Sequence, residues 1–184
     1  MPLPFQVVAE TLEALEPISS RLQMIALLAD LLGAAAADEI APLCYLIQGR
    51  LAPEYRQREF GISEKLAVRA VAGSGGCTVD EVQRLSTDTG DVGLAALECR
   101  TRAGDASGDG LTLREVHSAL SDIAAAEGSG SQDRKLQLLA TLLNRVTPLA
   151  AKWLTRMVLG RLRVGVRDPT VLDALSQAKA GNKS

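Results

Sequence analysis

Leu, Ala, Ile and Val recur at three- and four-residue spacing along almost the whole chain, broken at short intervals by helix start and stop signals. No alternation of apolar and polar residues outlasts a few positions, so helix must bury itself against helix. An all-α, multi-helical fold is expected. The spacing predicts a first helix between Pro4 and Pro17, a second capped by Ser20 and ending near Gly33, and a third capped by Asp38 and ending at Gly49. After an extended stretch, Leu51 to Phe60, Ser63 opens a fourth helix that Gly73-Ser74-Gly75-Gly76 stops. Thr78-x-x-Glu81 and Thr112-x-x-Glu115 are capping boxes, and Asp91 caps a helix between them. Ser131 opens a helix to about Val146, and Thr147-Pro148 supplies a cap and first-turn proline for one reaching Leu159. Asp168-Pro169 repeats that device for the last helix, which frays at residues 180–184.

With 184 residues, 47% of them hydrophobic, the chain can bury a core without disulfide or metal staples. Its five aromatic residues are too few for the stacking platforms of RNA-recognition or oligonucleotide-barrel domains. No basic segment precedes an apolar run at the N-terminus, and the longest apolar stretch, Met24 to Ala37, is interrupted by Asp30, so neither a signal peptide nor a membrane span is expected. Cys44, Cys77 and Cys99 match no zinc or redox spacing and are expected as free thiols in a reducing, intracellular setting. The single His117 has no partner ligands in sequence and is read as structural. Asp105, Ser107, Asp109 and Gly110 imitate the start of a calcium loop, but position 12 is Val116 and Glu115 comes one residue early. A surface loop leading into a capping box is the expectation there.

Charge is distributed unevenly. Residues 1–130 hold 10 basic and 19 acidic residues, a net of −9, whereas residues 131–184 hold 10 basic and 3 acidic, a net of +7. Such asymmetry fits an anionic partner for the C-terminal third, or else a basic solvated face that balances an acidic one.

The chain also resembles itself. Residues 20–51 align without gaps on 131–162, with ten of 32 positions identical. LLADLL (27–32) falls on LLATLL (138–143), and Gly49-Arg50-Leu51 falls on Gly160-Arg161-Leu162. Gly61-Ile-Ser-Glu then opens a helix as Gly165-Val-Arg-Asp does, after seven extra residues in the first copy. Two copies, about 20–72 and 131–176, of helix, helix, Gly-Arg-Leu turn, glycine turn, helix imply two halves related by a pseudo-twofold axis.

Candidate chemistry gathers in those turns. From Arg161 to Arg167, Arg161, Arg163, Gly165 and Arg167 alternate with Leu162, Val164 and Val166. An extended segment would turn the arginines outward over aliphatic anchors, a surface suited to phosphates. Gly160 and Gly165 leave room for backbone N–H groups to approach an anion. In the first copy Gly61 and Ser63 open a helix on which Lys65 and Arg69 share a face, and Arg50 repeats Arg161. Each glycine taken singly also serves as a turn or helix cap, and each arginine as a solvated charge.

Residues 51–72, LAPEYRQREFGISEKLAVRAVA, and 151–175, AKWLTRMVLGRLRVGVRDPTVLDAL, resemble the N-terminal DNA-binding domain of ATP-dependent DNA ligases of the archaeal and eukaryotic replicative type. The resemblance covers nearly the whole chain; residues 74–130 match only in helical character. It implies a domain over residues 1–175 and a tail at 176–184 leading to a nucleotidyltransferase domain. It also implies sequence-independent binding of nicked double-stranded DNA through minor-groove phosphates. Gly160, Arg161, Arg163, Gly165 and Val166, with Arg167 beside them, would hold one strand. Gly61, Ser63 and Lys65 would hold the other, with Arg69 and Arg50 nearby. The implied partners are that DNA, the catalytic domain of the same ligase and a sliding clamp. ATP and Mg2+ would serve the full-length enzyme in replication, repair and recombination, none of them in this chain, because no lysine here is followed by x-Asp-Gly, the family's adenylation signature. A helical protein-interaction scaffold with a basic docking face is the alternative.

Overall fold

The computed structural model describes residues 1–56, 59–104 and 110–181. Among them the chain forms α1 (Phe5–Leu15), α2 (Arg21–Ala34), α3 (Ile40–Leu46), a short 3-10 turn (Glu54–Arg56), α4 (Glu64–Gly73), α5 (Val79–Thr89) and α6 (Val92–Ala103). After these come α7 (Leu113–Ala125), α8 (Ser131–Asn144), α9 (Pro148–Val158) and α10 (Asp168–Gly181). The fold is all-α, and among the described residues no helix is long and apolar enough to cross a membrane.

Helix starts follow the capping chemistry closely. Both capping boxes form: the Thr78 and Thr112 hydroxyls each accept from the backbone N–H three residues on, and Glu81 and Glu115 return the bond. Ser20, Ser63, Asp91 and Thr147 cap α2, α4, α6 and α9. Asp38 does not cap α3. The buried carboxylate of Glu39 takes the backbone N–H groups of Leu3 and Ala36 instead, whereas exposed Asp38 pairs with Arg114 at 2.8 Å. Burial explains the exchange, because Glu39 satisfies the N–H of a buried Leu3 that has no helical partner. Gly130, in the left-handed region, precedes α8, and Asp168 is already the first residue of α10, with the Arg167 carbonyl accepting from Val171.

The twofold relation shows in which helices touch. α2 of the first copy packs against α10 of the second, and α8 of the second packs against α4 of the first. The same exchange extends one helix further than the sequence comparison reached, for α1 packs on α9 as α7 packs on α3. Between α1 and α7 the chain crosses itself once in an antiparallel bridge: Phe5 N–H donates to Leu111 O and Leu113 N–H to Leu3 O, both at 2.8 Å. Each copy is therefore a quartet of helices, and α5 and α6 form a hairpin inserted between the quartets.

α9 is the axis of the core. All nine residues from Ala150 to Val158 are buried, including Lys152, Thr155 and Arg156. Trp153 donates its indole N–H to Glu13 at 2.9 Å and lies under the guanidinium of Arg156, 4.7 Å from the ring centroid. α6 packs closely on α9 at Gly93, where a Cβ would stand 2.9 Å from the Lys152 carbonyl.

The cysteine expectation is corrected. Cys77 and Cys99 are joined in a disulfide, Cα to Cα 5.3 Å, while Cys44 alone is a free thiol. Their spacing conceals this pairing, since the α5–α6 hairpin is what returns the end of α6 to the start of α5. The incomplete calcium loop falls on residues 105–109, outside the described residues.

Candidate functional site

The two Gly-Arg-Leu turns meet. Gly49 and Gly160 end α3 and α9 with φ of 73° and 66°, a backbone that glycine adopts without strain, so each turn redirects the chain at once toward the same cleft. That cleft has a volume of about 910 Å³ and is walled by Gly49 and Arg50, by Phe60, Gly61 and Ser63, and by Leu159 and Gly160. Four sequence-derived candidates, Arg50, Gly61, Ser63 and Gly160, thus line one feature, although the two turns lie 111 positions apart in the sequence.

Gly61 is fixed by its surroundings. Its φ is 63°, and a Cβ there would lie 2.5 Å from Nζ of Lys135. That amine is buried and donates to the Phe60 carbonyl at 2.8 Å, holding the turn that precedes α4. Sequence reasoning passed over Lys135 because a single lysine in an amphipathic helix reads as solvated. Ser63 caps α4, its hydroxyl accepting from Leu66 N–H at 3.2 Å. Lys65 and Arg69 are exposed on α4, and neither makes a side-chain hydrogen bond or ion pair among the described residues.

From Arg161 to Arg167 the expected alternation largely holds: Arg161, Arg163, Gly165 and Arg167 are exposed, Leu162 and Val166 are buried, and Val164 is half-buried. The segment is nevertheless not one extended strand. Arg163 has φ of 60°, and its guanidinium donates to the Gly90 carbonyl at 2.8 Å and lies 3.9 Å from Asp91. This tether to the α5–α6 turn accompanies the kink. Val166 is a buried anchor, so any contact with a partner there would go through its backbone. At Gly165 the backbone lies outside the left-handed region and a Cβ would meet no protein atom, so nothing inside the fold requires glycine.

Behind this loop lies a buried ion network. Arg156 donates through Nε to Asp91 at 3.0 Å and through Nη1 to Glu16 at 2.8 Å, while Lys152 holds Glu13 at 2.8 Å and Glu16 at 3.1 Å. Burial pushes the Asp91 carboxyl up, but the hydrogen bond and charge of Arg156, the Gly93 N–H and the charge of Arg163 together hold it below its ordinary value. Glu16 is lowered in the same way, burial being outweighed by Arg156 and Lys152. Arg156 in turn is raised: burial opposes its charge, and Asp91 and Glu16 more than compensate. Three of the ten basic residues in the C-terminal segment, Lys135, Lys152 and Arg156, are therefore internal, and two of them neutralise carboxylates of the N-terminal part.

Comparison with known proteins bears on this arrangement. A family model described as DNA ligase N terminus matches residues 4–176. The chain belongs to the DNA ligase N-terminus family. A DNA ligase of Saccharolobus shibatae is 43% identical over 190 residues, 98% of this chain and 32% of that protein. One from Saccharolobus solfataricus is 42% identical over the same share, and one from Aeropyrum pernix 43% identical, covering 97% of this chain and 32% of that ligase. The chain thus spans about a third of the length of these relatives. In this DNA ligase N-terminal domain the residues quoted for the resemblance, 51–72 and 151–175, supply most of the cleft's lining, with Gly49, Arg50 and Gln132 completing it, and contain the whole arginine loop.

Proposed function

We propose that this domain holds nicked double-stranded DNA for an ATP-dependent DNA ligase, gripping backbone phosphates across the minor groove without reading bases, in nick sealing during replication, repair and recombination. One observation carries the reading: in a DNA ligase N-terminal domain, the Gly160–Arg167 loop exposes Arg161, Arg163 and Arg167 beside a cleft that also contains Arg50 and the capped start of α4. Guanidinium groups and open glycine backbone suit phosphate oxygens, and such contacts position a duplex without discriminating sequence. Lys65 and Arg69 add charge on the α4 side, so each copy of the repeat has cations for one strand.

Ligation chemistry is assigned to the part of the ligase this chain does not span, where ATP and Mg2+ would act. Among the described residues no three His, Cys, Asp or Glu side chains could hold a metal ion, and Lys135 and Lys152 are committed to Phe60 and to Glu13 and Glu16.

Fluorescence anisotropy on nicked and intact duplexes of unrelated sequence tests the reading. With about four to six phosphates neutralised, log affinity falls against log salt with a slope of about −4 to −5, nearly independent of sequence. Absence of binding at about 50 mM salt, or a strong dependence on base sequence, refutes it. Indifference to DNA together with tight binding of an acidic protein would instead favour an interaction scaffold.

A further inference from the structure

Two ion pairs cross between the copies at the cleft, and the twofold relation exchanges them. Arg161, in the Gly-Arg-Leu turn of the second copy, donates to Glu64, the first residue of α4 in the first copy, at 2.8 Å. Arg50, the matching arginine of the first copy, lies 3.9 Å from Asp168, the first residue of α10 in the second. Glu64 and Asp168 themselves match, as the fourth residues of Gly61-Ile-Ser-Glu and Gly165-Val-Arg-Asp. An acidic residue in a first helical turn is favoured by the helix dipole alone. The dipole accounts for the residue type but not for the partner, which in both cases is the Gly-Arg-Leu arginine of the opposite copy.

A carboxylate and a phosphate offer a guanidinium the same thing, oxygens in a fork-shaped, charge-assisted hydrogen-bond geometry. The pairs are accessible: side-chain exposure is 53% and 46% for Arg161 and Glu64, and 30% and 62% for Arg50 and Asp168. Either can therefore open without disturbing the core. Resting on the DNA-binding reading above, we propose that Glu64 and Asp168 are internal competitors for the phosphates of DNA, holding Arg161 and Arg50 until a duplex exchanges phosphate for carboxylate at both turns. The carboxylates make partial engagement unprofitable. A single phosphate displaces one carboxylate and leaves the other pair intact, whereas a backbone that spans both copies displaces both carboxylates together.

The exchange has a signature in salt dependence. A carboxylate freed from its arginine takes up a cation, cancelling one of those released from DNA, so the wild-type slope is shallower than the number of phosphates engaged. Anisotropy with a nicked duplex, over a salt series, would compare the wild type with Glu64→Gln, Asp168→Asn and the double variant. Each single variant should bind about two- to fivefold more tightly, and each should steepen the slope by about 0.9. Asp173→Asn is the control: it removes the same charge from an exposed pair of similar length, Arg21 to Asp173 at 2.7 Å, and should change affinity by less than about twofold with an unaltered slope. Unchanged or weaker binding by Glu64→Gln and Asp168→Asn, or an equal gain from Asp173→Asn, overturns the proposal while leaving DNA binding standing. A wild-type protein that ignores nicked DNA overturns both.

Discussion

Replacing Asp91 by Asn tests whether the buried network behind the arginine loop is held by charge. Asp91 and Arg156 have side chains 4% and 3% exposed, and removing one partner from a pair so buried ordinarily destabilises by about 3–5 kcal/mol. Arg156 keeps its bond to Glu16 at 2.8 Å, and an asparagine oxygen can still accept from Gly93 N–H, so the expected loss lies at the low end, about 3 kcal/mol. Asp91→Ala, which also removes the cap of α6, should lose about 1 kcal/mol more. For a chain of this size 3 kcal/mol corresponds to a fall in melting temperature of roughly 6–12 °C, measurable by helical circular dichroism. The pH dependence follows from the direction of the shift. The folded Asp91 carboxyl titrates below its unfolded value, so its contribution is complete above about pH 4 and disappears as pH falls through the lower, folded value. The gap between wild type and Asp91→Asn should therefore narrow in acid, Glu16 titrating in both proteins. A loss below about 1 kcal/mol at neutral pH, or a gap that does not narrow in acid, would show that packing rather than charge holds α6, α9 and α1 together.

The arginine loop separates binding from stability: Arg161→Gln with Arg167→Gln should abolish most DNA binding yet move stability by only about 0.5 kcal/mol each, whereas Leu162→Asp or Val166→Asp, by burying a carboxylate, should lower the melting temperature sharply. Early melting of the double arginine variant would refute the outward arrangement. Gly61→Ala should lose about 2–3 kcal/mol, from the left-handed backbone and from displacing the Lys135 amine off the Phe60 carbonyl, and in a Lys135→Met background that loss should shrink to about 1 kcal/mol; equal losses in both backgrounds in a melting experiment would dissociate the glycine from the lysine. The chain alone, incubated with radiolabelled ATP and Mg2+, should acquire no covalent label, since a nucleophilic lysine needs an activating pocket; a labelled lysine would overturn the proposal that this domain only holds DNA.

Helix boundaries and the repeat were legible because both rest on local chemistry. Thr78, Thr112, Ser63 and Thr147 announce their helices through hydroxyls that satisfy the backbone N–H groups just beyond, and the Gly-Arg-Leu turns stand out because Gly49 and Gly160 share one backbone requirement. What escaped notice depends on residues far apart in sequence. Glu39 displaces Asp38 because Leu3 needs an acceptor, Cys77 meets Cys99 because a hairpin folds back, and α1 joins the first copy through its packing on α9 rather than through any matching motif. The kink at Arg163 has the same origin, for the Gly90 carbonyl that it reaches lies in another helix turn.

Charge shows why local reading and tertiary structure part company at the site itself. Ten basic residues in the C-terminal third, all engaging phosphates, would allow a salt slope of about −9. Lys152 and Arg156 sit in the same short helix as Trp153 and look like a solvated basic stripe, yet their stems cross the core to reach Glu13, Glu16 and Asp91. Lys135 is likewise spent on a backbone carbonyl. Around the cleft and the loop the candidates that remain are Arg50, Lys65, Arg69, Arg161, Arg163 and Arg167, and two of these meet a carboxylate of the opposite copy. Six cations less two exchanged carboxylates give a slope of about −4, against about −5 if every cation contributes in full. A wild-type slope near −9 would mean that about ten cations engage phosphates, more than the six around the cleft and the loop, and would contradict the confinement of the phosphate contacts to those six.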